Sequence, residues 1–188
     1  MSLPFTLQFH HHWHSPPRLL EQHHERVPER LEAALLYTGS LTGYLERLWQ
    51  QPVVVHLQRQ YIQATLDDDE RLWSGYPPLD CAVGVLSRVA WLQVAGQERL
   101  VAASQLSLAG LPESLRGEIE NGQRPLGALF LEQAAEVARD HLQLALARAP
   151  ELAQRLGEPS EQLFWCRRSL FRAGEARARI IEVFLTGF

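Results

Sequence analysis

Hydrophobic and polar positions follow two periods along the chain, one strand-like and one helix-like. Between Val53 and Leu66, apolar and β-branched residues interleave with polar ones, which predicts a long strand closed by the acidic run Asp67-Asp68-Asp69. That run reads as a solvated turn, because a cation site would need further oxygen ligands that the neighbouring sequence does not offer. Val83–Val94 and Leu100–Leu108 predict a hairpin around Ala95-Gly96-Gln97-Glu98. Leu163–Arg172 and Arg177–Thr186 predict a second, around Ala173-Gly174-Glu175. Helical spacing begins at Pro28, with Leu31, Leu35 and Leu36 on one side, and breaks at Thr38-Gly39. Ser40 is placed to cap a second helix carrying Leu41, Leu45 and Leu48, which Pro52 ends. Pro112 opens a short helix, Gly122–Gly127 is a turn, and 128–148, rich in Ala, Leu and charged residues, predicts a long helix. Residues 74–82 and the stretch holding Pro150, Gly157 and Pro159 read as loops. Tight turns between strands imply an antiparallel sheet with helices on one face, an α+β domain without internal repeats.

Composition narrows the class. A chain of 188 residues with 46% hydrophobic and 21% charged side chains can build one core. Residues 1–27 stand apart as a His/Pro-rich N-terminal arm, leaving 28–188 as the folded domain. Six of the eight histidines lie in it, at His10, His11, His12, His14, His23 and His24. The arm reads as a polar extension that binds metal only incidentally and whose removal would leave the fold intact. The net charge of −4 argues against a nucleic-acid surface. No apolar run reaches the ~18 residues of a membrane span, and the N-terminus has no secretory pattern, so a cytoplasmic location is expected. All 18 basic residues are Arg, which excludes Schiff-base chemistry, pyridoxal-phosphate attachment and the lysine-dependent phosphate loop. Cys81 and Cys166 form no CxxC pair and read as small, mostly buried side chains.

Two charges interrupt apolar strand faces. One row of the strand ending at Val94 is Leu86, Arg88, Ala90, Leu92, Val94, and one row of the last strand is Ala178, Ile180, Glu182, Phe184. A buried charge needs a partner or a ligand. Either Arg88 and Glu182 pair with each other, or they mark the two ends of a pocket for a small molecule bearing a carboxylate and a hydroxyl. Burial would raise the Glu182 pKa and favour proton exchange near neutrality, with any nearby Arg opposing that shift.

Four segments resemble the chorismate lyase (chorismate–pyruvate lyase) family, in the family's order: LLYTGSLTGYL at Leu35–Leu45, LSRVAWLQVAG at Leu86–Gly96, QRPLGAL at Gln123–Leu129 and LFWCRRSLFRAGEARARIIEVFL at Leu163–Leu185. The resemblance implies a mainly antiparallel six-stranded sheet with helices on one face. It implies removal of the enolpyruvyl ether of chorismate as pyruvate to leave 4-hydroxybenzoate, a ubiquinone precursor, without metal or organic cofactor. It also implies a monomer whose partner is that small-molecule substrate, with no nucleic acid and no membrane. By position, Arg88 matches the arginine that holds the ring carboxylate and Glu182 the carboxylate near the ring hydroxyl. Leu126, in the PLG turn, and Leu41, in the SLT turn, match residues lining the cavity.

The chain departs from the family after the first hairpin. Relatives often carry an Arg and then a Pro in a pattern like ARS-x-x-P, where this chain has Ala102-Ala103-Ser104-Gln105-Leu106-Ser107. That leaves open what holds the enolpyruvyl carboxylate. Arg167 or Arg168 are candidates, with surface charge the expected role for one of them. The His-rich arm and the long 128–160 insertion are also atypical. The second reading is a non-catalytic module binding an aromatic carboxylate, since the same fold serves as the effector-sensing domain of bacterial transcription regulators. Those carry an upstream helix-turn-helix domain, for which the 30 residues before the lyase-like region are expected to be too short.

Overall fold

A computed structural model describes residues 3–23, 27–66, 69–122, 124–132 and 137–188. Seven strands form a single sheet: β1 (Gln8–His14), β2 (Val53–Gln63), β3 (Val85–Val94), β4 (Gln97–Ser107), β5 (Val137–Arg148), β6 (Leu163–Ala173) and β7 (Ala176–Phe184). Their order is β1-β5-β6-β7-β4-β3-β2, and every neighbouring pair is antiparallel. The helices are α1 (Pro16–His23), α2 (Glu29–Leu36), α3 (Leu41–Trp49), α4 (Glu70–Trp73), α5 (Glu113–Asn121), α6 (Leu126–Glu132) and α7 (Pro150–Leu156). None is long and apolar enough to cross a membrane.

Both predicted hairpins form, as β3–β4 and β6–β7. The first turns on Ala95 and Gly96, both at positive φ (51° and 78°), the backbone that matches the twist of the flanking strands. Alternation then sorts side chains into two cores. Val89 and Trp91, Val101 and Ala103, Ala145 and Ala147, Phe164 and Cys166, and Ile181 and Val183 share one core with Leu72 and Trp73 of α4 and Leu152 and Ala153 of α7. The opposite rows pack against α1, α2, α3, α5 and α6 in two further clusters. The α+β, antiparallel architecture is therefore as expected, with seven strands instead of six and two short helices on the second face.

The two strands that the hydrophobic pattern does not locate, β1 and β5, come from segments with other local preferences. Residues 128–148 are not one helix: α6 ends at Glu132 and β5 begins at Val137. Leu144, Ala145, Leu146 and Ala147 are all buried, the Leu pair in one core and the Ala pair in the other. A strand inside a sheet buries both faces, and that gain overrides the helix preference of Ala and Leu. The His-rich segment is not a free arm, because β1 pairs with β5 and Leu3, Leu7, Leu19 and Leu20 are buried. The ring of His11 meets those of His10 and His23 at 4.6 and 4.8 Å between centroids. Partial burial lowers the His11 pKa, helped by the charges of His10, His23 and His14. The stretch around Pro150 is helical, with proline at its start and Gly157 (φ 72°) closing it. Both cysteines are free thiols; Cys166 is buried and Cys81 half-buried. Asp67, Asp68, His24 and Gln123 lie outside the described residues.

One irregularity in β5 positions the site. Asp140 pairs with Leu170 and Gln143 with Arg168, so the strand holds one extra residue there, and His141 sits at φ 52°. This bulge resets the alternation, so that Arg139 and Leu144 point to the same face of the sheet.

Candidate active site

A cavity of about 60 Å³ lies between the sheet and the helices of the more heavily covered face. Its floor carries Arg88 from β3, Ser104 from β4, Arg139 from β5 and Glu182 from β7. Its cover is the start of α3, with Leu41 and Thr42, and the start of α6, with Leu126 and Gly127. The four sequence-derived candidates Arg88, Glu182, Leu41 and Leu126 thus line one cavity. A cavity known to take up benzene measures on the order of 150 Å³, so seating an aromatic ligand here calls for the two cover segments to draw apart.

The cover segments fit closely. Ser40 caps α3 by accepting a hydrogen bond from the Gly43 N–H at 3.4 Å. A Cβ at Gly127 would stand 2.7 Å from the Ser40 Oγ, so glycine is what lets α6 approach the capped turn.

Arg88 and Glu182 do not pair with each other. Arg88 is 3% exposed, and its Nη2 donates to the carbonyls of Gly122 and Arg124 at 3.0 and 2.9 Å. Its Nη1 is buried with no partner. Burial pushes its pKa down to about 10, which leaves it cationic at neutral pH. A buried guanidinium without a carboxylate among the described residues has an open place for an anion.

Glu182 instead sits between two other arginines. Its Oε1 accepts from Arg139 Nη2 at 3.0 Å, and its Oε2 accepts from Arg167 Nε at 2.7 Å with Arg167 Nη2 at 2.6 Å. Burial works to raise the Glu182 pKa, but the charges and hydrogen bonds of Arg139 and Arg167 outweigh it and hold the carboxyl below its ordinary range. This overturns the expectation of a raised pKa: the partners that cancel desolvation were not visible in its own strand row. Glu182 is a fixed carboxylate and not a proton carrier near neutrality. Burial likewise brings the Arg167 pKa down to about 10 against the pull of Glu182, so it stays charged.

The same arginines tie the cover to the floor. Arg167 Nη1 donates to Ala34 O and Tyr37 O at 2.7 and 3.0 Å, carbonyls at the C-terminal end of α2. Arg139 Nε donates to Gly39 O at 3.1 Å and its Nη1 to Ser169 Oγ at 2.8 Å. Arg168 has neither role considered for it. It is 4% exposed on the opposite face and donates to Leu72 O, Ser74 O and Gln143 Oε1.

Arg139 carries no site signal in the sequence, because the helix-favouring composition of 128–148 hides its strand alternation. Arg167 stands there as a candidate only for a substrate carboxylate. The row Trp165, Arg167, Ser169, Phe171 has the same single charge in an otherwise suitable face that singled out Arg88.

Known proteins resemble the chain at two levels. The effector domain of PhnF from Mycobacterium smegmatis superposes with a TM-score of 0.58 at 14% identity, covering 79% of this chain and 89% of its own. The ligand-binding domain of a proposed GntR-family transcriptional regulator from Bordetella bronchiseptica gives 0.51 at 15%, covering 72% and 86%. At such identities the likeness is one of fold. No curated protein sequence matches. The family model described as chorismate pyruvate-lyase, Rv2949c-like, matches residues 35–187, which span the cover, the floor and the site charges Arg88, Arg139, Arg167 and Glu182. The chain belongs to the Rv2949c-like chorismate pyruvate-lyase family.

Proposed function

We propose that the protein is a chorismate–pyruvate lyase that converts chorismate to 4-hydroxybenzoate and pyruvate. The observation that carries this reading is the buried, unpartnered Nη1 of Arg88 at one part of a cavity that also holds the ionised Glu182. Arg88 receives the ring carboxylate, for which the guanidinium fork is suited. Glu182 accepts a hydrogen bond from the ring hydroxyl. Leu41 and Leu126 press on the ring faces and exclude water.

The chemistry asks little of the protein. The bond from C3 to the ether oxygen breaks, hydrogen leaves C4, and the ring becomes aromatic. That hydrogen can pass within the substrate to the enolpyruvyl methylene, which delivers pyruvate directly and balances all atoms. No side chain then needs to exchange a proton, in keeping with a Glu182 locked in its charged form. The protein contributes orientation and a fixed field: the Glu182 carboxylate stabilises positive charge growing on the ring as the ether bond stretches.

The second reading, a binding module without turnover, draws on the ligand-binding domains that share the fold. Incubating purified protein with chorismate and following pyruvate and 4-hydroxybenzoate separates the two. Release of both products in equal amounts above the uncatalysed rate supports the lyase. Tight 4-hydroxybenzoate binding without pyruvate release replaces it with the binding module.

A further inference from the structure

We infer that Arg139 is the specificity-determining residue for a second carboxylate, so that the cavity selects dianionic over monoanionic aromatic ligands. The inference rests on the proposed function for its ligand class and on the charge geometry for its residue. Of the groups at the cavity, Arg88 and Arg139 are cationic and Glu182 is the lone acid among the described lining residues. Arg167 satisfies Glu182 Oε2 through its Nε, with Nη2 at ion-pair distance. The Arg139–Glu182–Arg167 cluster therefore keeps one positive charge in excess, and Arg88 adds a second. A buried site with two surplus cations is mismatched to a singly charged ligand and matched to a dianion.

Arg139 is the member of the cluster that can meet it. It lines the cavity, whereas Arg167 lies outside the lining, turned towards Glu182 and the carbonyls at the end of α2. An arginine has five N–H donors, and three of Arg139 are committed, to Gly39 O, Ser169 Oγ and Glu182 Oε1. One N–H on each terminal nitrogen remains, the pair that forks onto a carboxylate. The guanidinium carbon lies 5.8 Å from the centre of the Phe171 ring, which fixes its plane. In the sheet order, β5 and β3 are four steps apart, roughly 19 Å at ~4.8 Å per step. Both arginine side chains line the one cavity from these separate strands, so a ligand that meets both carries its acidic groups at separate points of the ring. β4 lies between them and offers Leu100, Ala102 and Ser104 to the cavity, so Arg88 and Arg139 are the two cations among the described lining residues.

The test uses two ligands that cannot undergo elimination, 3-(carboxymethoxy)benzoate and its monoanionic match 3-ethoxybenzoate, with binding measured by calorimetry. Wild type should prefer the dianion by about 30-fold or more. Arg139→Gln should cut that preference at least about tenfold while changing 3-ethoxybenzoate affinity by less than about threefold, a split that a merely structural role would not produce. Should the Gln variant fail to fold, Arg139→Lys carries the test: it keeps the charge but loses the fork, and the preference should drop about three- to tenfold. An unchanged preference in either folded variant, or a wild type that binds both ligands equally, overturns the assignment. Pyruvate release from chorismate is scored separately. Its absence beside an Arg139-dependent preference would remove the lyase reading and leave this one in place.

Discussion

Arg88 and Glu182 are both buried charges, yet their partners give them different work. The main-chain carbonyls on Arg88 leave its positive charge uncompensated, so it is available to a ligand carboxylate present in substrate and product alike. Arg88→Ala should therefore raise the KM for chorismate and weaken 4-hydroxybenzoate binding, by about 2–5 kcal/mol or 30- to 5,000-fold, with kcat much less affected. Glu182→Gln keeps the shape but removes the fixed negative charge; it should lower kcat about 10²–10³-fold and disturb product binding less. A folded Glu182→Gln enzyme turning over chorismate at the wild-type rate would refute that role. Acid stability gives an independent reading of Glu182. Because its folded-state pKa is lowered, its stabilising contribution is complete above the ordinary value, ~4.3, and disappears as pH falls through the depressed folded value. Urea midpoints between pH 6 and 2 should fall less steeply in Glu182→Gln than in wild type. The lone-charge rows made both residues legible in the sequence. What strand alternation could not supply was the identity of their partners, since Arg139 and Arg167 arrive from strands far along the chain.

The cover depends on how α3 and α6 begin. Gly127 leaves room for Ser40, whose hydroxyl caps α3. Gly127→Val should push that hydroxyl away, with a capping loss of ~1 kcal/mol, and hold the cover open. The expected result is about tenfold weaker 4-hydroxybenzoate binding with a nearly unchanged melting temperature; wild-type affinity in the folded variant would show that the close approach is unimportant. The Ser40 cap and both hairpins could be read in the sequence because each is set by residues a few positions apart. Strand β5 could not. Ala, Leu, Glu and Arg favour a helix locally, and only β1 and β6 on its two edges make a strand the better choice.

At the scale of the molecule, the histidine-rich segment closes one edge of the sheet. Deleting residues 3–14 would expose β5 and remove the buried Leu3 and Leu7. At ~1.5–3 kcal/mol for each buried leucine, this takes a large part of a typical 5–15 kcal/mol of stability. Thermal unfolding should show a melting temperature lower by more than about 10 °C, or no cooperative transition; an unshifted transition would return the segment to the status of an appendage. The segment was opaque in the sequence because consecutive histidines carry no apolar alternation, and its anchoring leucines lie outside the strand itself.

The extra residue in β5 has a consequence for how this pocket could be lost. Arg139 and Leu144 are an odd number of positions apart yet face the same way, which holds only while the bulge at His141 is present. A one-codon deletion there would let the ladder close in regular register with Arg139 four positions from Leu144, so Arg139 would still face the cavity. Smoothing the bulge at constant length, as a β-branched residue that resists positive φ at position 141 would favour, turns Arg139 towards the opposite core and strips Glu182 of one of its two cations. In this strand a substitution at a backbone position that never meets the ligand is a shorter path to an inert cavity than the loss of a residue.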